Sequence, residues 1–124
     1  MDAGDFITLS ARAEVTPGGD IPLEEALQGF LATYAGALRD AGCTMIGHIK
    51  GMVDGQGSES LFFSLTSLEG KPRFKGEIAQ PEPALRLSIN VIVAGIDKER
   101  ANRLLECAVA EHFQVRPQTQ KPAG

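Results

Sequence analysis

Residues 45–93 read MIGHIKGMVDGQGSESLFFSLTSLEGKPRFKGEIAQPEPALRLSINVIV. Four segments of this stretch alternate apolar and polar residues with a period of two. Successive side chains leave a strand on opposite sides, so strict alternation marks half-buried antiparallel strands. One face carries Met45, Ile49 and Val53, then Leu61, Phe63 and Leu65, then Phe74 and Ile78, then Leu85, Leu87, Ile89, Val91 and Val93. The other carries His48, Lys50, Ser64, Thr66, Arg73, Lys75, Glu77, Arg86, Ser88 and Asn90. The pattern predicts a sheet with one apolar side and one polar, locally basic side.

Working outward, the turns are legible. Asp54-Gly55-Gln56-Gly57, Glu69-Gly70-Lys71-Pro72 and Gln80-Pro81-Glu82-Pro83 separate the four strands. Phe6 to Val15 alternates too and predicts a first strand, ended by Thr16-Pro17-Gly18-Gly19. Asp20 reads as the N-cap of a first helix, with Pro22 in its first turn. Its inner stripe is Leu23, Ala26, Leu27, Phe30, Tyr34, Leu38 and Ala41, and Gly42 is its left-handed terminator. Asp97 caps a second helix, with Ala101, Leu104, Leu105, Ala108, Val109 and His112 inward. The predicted class is α+β in the order β-α-β-β-β-β-α, with a mostly antiparallel sheet and both helices on one face. The simplest assembly is a meander; the first strand could lie at either edge, and its sequence does not decide which. Residues 1–113 form a single domain, and the polar, Pro-containing residues 114–124 form a flexible tail.

A chain of 124 residues with 43% apolar and 23% charged residues is ordinary for one globular domain. The net charge of −4 argues against nucleic acid as a partner of the whole chain. Cys43 and Cys107 are too few for a disulfide framework and read as free thiols of a cytoplasmic protein. The acidic start, Met1 to Asp5, does not resemble a secretory signal, and no apolar run is long enough to span a bilayer.

Few constellations suggest chemistry. The glycine-rich turn before the first helix is followed by Asp20, Glu24 and Glu25, which would repel a phosphate. Cys107 and His112 lie roughly 140° apart around a helix and cannot chelate together. Cys43 and His48 point to opposite faces of a strand. No metal, cofactor or catalytic set is predicted. The polar sheet face is richer, because outward Lys50, Arg73, Lys75 and Arg86 face only Glu77, and His48 adds charge when protonated. Phe62, Ile46, Met52, Leu68 and Ile92 also read as outward and would form an apolar patch there. On the first helix, Gly29, Ala32 and Gly36 form a smooth ridge that a second backbone could approach.

Three functions follow as expectations. The first is a non-catalytic binding or assembly module that forms homo-oligomers through the sheet face, with Phe62, or through the Gly29–Ala32–Gly36 ridge. The second is a binder of a small anionic ligand, or of a protein partner, on His48, Lys50, Arg73, Lys75 and Arg86. The third is a small enzyme using His48 as acid–base beside Lys50, Arg73 or Glu77.

Overall fold

A computed structural model of the chain describes residues 5–17, 21–55, 59–78 and 85–115. Its elements are β1 (Phe6–Pro17), α1 (Leu23–Asp40), β2 (Met45–Asp54), β3 (Ser60–Leu65), β4 (Arg73–Gly76), β5 (Leu85–Ala94), α2 (Lys98–His112) and β6 (Phe113–Val115). The α+β class and the antiparallel sheet are as predicted. The order gains one strand, β6, which starts at the last residue of the predicted domain and takes in Gln114 and Val115 of the predicted tail; residues 116–124 lie outside the described residues.

The six strands lie in the order β4-β3-β2-β5-β1-β6. This corrects the meander. β5 does not pair with β4 but inserts between β2 and β1, antiparallel to both. The first strand therefore lies at neither edge. Length explains the choice: β5 pairs with β1 from Leu85↔Val15 to Ala94↔Phe6, whereas β4 spans only Arg73–Gly76 and could satisfy few of its backbone groups. β1 and β2 run parallel on either side of β5, and β5 and β6 run parallel on either side of β1. The fold is thus two interleaved split β-α-β units, with the β3–β4 hairpin extending the sheet beyond β2.

The inward faces match the alternation. Leu87 and Ile89 are buried while Arg86 is exposed. One local correction applies to β2. A bulge between Ile46 and His48 shifts its register on β5, so Ile46 turns into the core and Met45 is 55% exposed. Gly47 occupies the bulge; a Cβ there would lie 3.1 Å from Ile92 Cγ2 and 3.3 Å from Phe6 Cε1.

Both helices cover the apolar face. Ala26, Leu27, Phe30, Leu31, Tyr34, Ala35 and Leu38 of α1 and Ala101, Leu105, Ala108 and Val109 of α2 are buried in one core with the inward strand residues. The Tyr34 hydroxyl donates to the Ala101 carbonyl oxygen at 2.9 Å and ties α1 to α2. Phe30 stacks on Tyr34 and meets Phe113 edge-on. The N-cap position of α1 is Pro22 rather than Asp20, which lies outside the described residues. At its other end the Cys43 N–H donates to the Leu38 carbonyl and the Gly42 N–H to the Arg39 carbonyl. This is a Schellman motif, with Gly42 at φ +105° as its left-handed residue. The Arg100 N–H donates to Asp97 Oδ2 at 3.0 Å, so Asp97 caps α2 as predicted.

Candidate functional site

No described element of the chain covers the outer face of the sheet, and its side chains fall into cross-strand rows set by the pairing. In one row Arg73 lies opposite Ser64, Ser64 opposite Lys50, Lys50 opposite Asn90 and Asn90 opposite Ser10. In the next, Lys75 lies opposite Phe62, Phe62 opposite Met52 and Met52 opposite Ser88. These two rows line a shallow depression that contains Lys50, Arg73 and Lys75 and no carboxylate. The backbones of β2 and β4 are two strands apart, roughly 10 Å, a gap that lysine and arginine side chains can close around one anion. Phe62, 48% exposed, forms an apolar wall beside the cations. Ser64 adds a hydroxyl between Arg73 and Lys50, and Asn90 an amide on the far side of Lys50.

The other site residues separate. Arg86 lies opposite Asp54 on one side and Glu14 on the other. It stands four residues along β5 from Asn90, roughly 13 Å away, and does not line the depression. The anion set is therefore Lys50, Arg73 and Lys75. The sequence reading grouped Arg86 with them because it left the position of the first strand open and omitted Asp54, whose Oδ1 accepts from Ser60 Oγ at 2.6 Å. His48 is half-buried on the outer face, opposite Ile92, and the register places no carboxylate against it.

The apolar residues regroup as well. Ile46 is buried inside, and Leu68 packs against the core from the β3–β4 turn. Met52 and Phe62 remain as neighbours at the anion depression. Phe6, Met45 and Ile92 gather at the far end of β1, β2 and β5, around Gly47.

The helix ridge is divided between two neighbours. Gly29 faces α2, where the His112 imidazole lies against it; a Cβ would sit 2.9 Å from His112 Nδ1 and Cε1. The ring is held by a 2.7 Å hydrogen bond between His112 Nε2 and Thr33 Oγ1. Gly29 is a packing residue between the helices, not part of a surface for a second backbone. Ala32 and Gly36 instead line a small groove between α1 and the β3–β4 turn, with Leu68 and Pro72 on its other side. Nothing in the local sequence could pair Gly29 with His112, because they meet only when both helices lie on the sheet.

Among the described residues no group of three or more His, Cys, Asp or Glu side chains converges as a metal site. Cys43 is buried, Cys107 is exposed and both are unpaired. No helix among the described residues is long and apolar enough to cross a membrane.

No protein-family model matches the chain. No curated protein matches it. Among solved structures, a zinc-bound triple mutant of the YjiA GTPase is similar, at 11% sequence identity and a TM-score of 0.45. The match covers 84% of this chain and 30% of that one, so this chain spans less than a third of the GTPase. That likeness assigns neither fold nor function.

Proposed function

We propose that this chain is a binding module that takes an anionic group on the outer face of its sheet. The observation that carries the reading is the row Arg73–Ser64–Lys50–Asn90 with Lys75 beside it, in a depression without a carboxylate. Arginine supplies a flat fork of donors and lysine a mobile point charge, so the set accommodates a tetrahedral or planar anion. Phe62 and Met52 next to the cations favour an anion carried on an apolar or planar body. The unpaired thiols of Cys43 and Cys107 fit a reducing, cytoplasmic setting.

The test is thermal melting of the full chain with inorganic phosphate and, in parallel, a nucleoside monophosphate. A ligand at a hundred times its dissociation constant adds ~2.7 kcal/mol of stability. Lys50→Glu combined with Arg73→Glu should abolish the shift, while Arg86→Glu should leave it in place. A shift that survives the double substitution, or no shift with either probe, overturns the reading. The nucleotide should also act at lower concentration than phosphate alone.

A further inference from the structure

Among the described residues the outer edge of β1 is paired only in part, and it carries a second, independent surface. β6 flanks β1 only at Val15–Pro17. No described strand lies on that side of β1 along Phe6–Ala13, so alternate residues there direct backbone N–H and C=O groups away from the sheet. An open edge of this kind is a template for another strand. Beneath it lies an apolar groove between β1, β5 and α2, lined by Ala11, Ala13, Leu87, Ile89, Leu105 and Val109. Along β1, Ile7, Ala11 and Ala13 are only partly buried against the core.

We propose that this edge pairs with the same edge of a second copy of the chain, antiparallel about a two-fold axis at Ser10. Side-chain size supports that occupant. Pairing about Ser10 sets Leu9 opposite the second copy's Ala11, and Ile7 opposite its Ala13. The partly buried Ile7 then meets the small Ala13 of the second copy, while Leu9, already buried in its own core, meets Ala11. Charge supports it too. The two-fold that makes β1 antiparallel also makes the α2 helices antiparallel on one face of the joined sheet. Glu106 lines the groove at this edge, Lys98 lies about two turns before it on the same side of α2, and Glu99 is paired with Arg103 within the helix at 4.0 Å. Lys98 of each copy is then set towards Glu106 of the other, whereas a parallel arrangement would set like against like. Arg12 meets Thr8 across the axis, and the two Arg12 side chains stand four residues apart, roughly 14 Å.

Sedimentation velocity of the full chain tests the proposal, with a dimer as the expected species. Ala11→Lys places a long cation in the groove at an edge where it can reach water, and should halve the mass while the melting curve stays cooperative. A second measurement does not depend on that variant folding. In a Cys107→Ser background, Ser10→Cys should form an intermolecular disulfide under mild oxidation, because paired strands hold facing Cα atoms within disulfide range. Lys50→Cys in the same background should not. A monomeric chain, a dimer that persists in folded Ala11→Lys, or cross-linking at Lys50→Cys rather than Ser10→Cys would each refute β1 pairing. The last outcome would indicate face-to-face association of the outer sheets. Anion binding at Lys50 and Arg73 is read separately, since Ala11→Lys leaves that depression untouched.

Discussion

Gly29 lacks a Cβ where the His112 imidazole needs the space. An alanine there would gain about 1 kcal/mol of helix propensity. It would also displace the ring and break its hydrogen bond to Thr33, and overpacking of this kind costs ~1–3 kcal/mol. Gly29→Ala should therefore lower stability, and in a His112→Ala background the same change should raise it. Urea unfolding of the four chains measures the reversal as a double-mutant cycle. If Gly29→Ala stabilises the native chain, the ring is not lodged there. Tyr34 offers a second test. Burial raises its phenol well above the ordinary tyrosine range, and nearby Cys43 adds to the shift. The unfolded phenol ionises near pH ~10. Because the folded phenol holds its proton to higher pH, Tyr34 contributes stability that is present below that point and lost as the pH rises above it. Tyr34→Phe should cost about 1 kcal/mol at neutral pH through the lost bond to Ala101. It should also flatten the alkaline fall in urea midpoint. Tyr34 is the only tyrosine of the chain, so the comparison is clean.

The helices show their ends in the chain and their partners only in the fold. Asp97→Ala should lower stability by about 1 kcal/mol, since the side chain is bonded to the Arg100 N–H. Gly42→Ala should cost ~1–2 kcal/mol by forcing a side chain into the left-handed region. Guanidinium unfolding reads both. These signals are legible because capping and turn chemistry act within a few residues. Strand alternation is legible for the same reason: it predicted the inward faces of β1, β3 and β5. It failed on β2 before His48, where the bulge at Gly47 reverses the face of Met45 and Ile46. The sequence contains a glycine there, but a glycine alone does not say that a residue is skipped. β6 was missed because Phe113–Val115 is too short to show alternation.

The molecule as a whole separates its charge. The chain carries −4, yet the depression on the outer face is lined by cations alone among its charged residues. An anion held there as proposed would be exposed to solvent, and its binding should weaken with salt. At a physiological ~0.15 M ionic strength the Debye length is ~8 Å, comparable with the spacing of the three cations. The concentration of phosphate needed for half the thermal shift should rise steadily with added sodium chloride. A salt-independent shift would place the anion in a buried site elsewhere.

Local chemistry along the chain was sufficient for the α+β class, both helices, the oily and wet faces of the sheet, and the outward aim of Lys50, Arg73 and Lys75. Each of these follows from backbone period, caps and turns, which reach no farther than neighbouring residues. Strand order came only with folding. It placed β5 between β1 and β2, brought Glu14 and Asp54 to Arg86, and, among the described residues, left no strand beside β1 along Phe6–Ala13 on its outer edge. Those outcomes depend on which long strands satisfy one another's hydrogen bonds across many tens of residues, and on how two helices share one apolar face. No single segment carries that information.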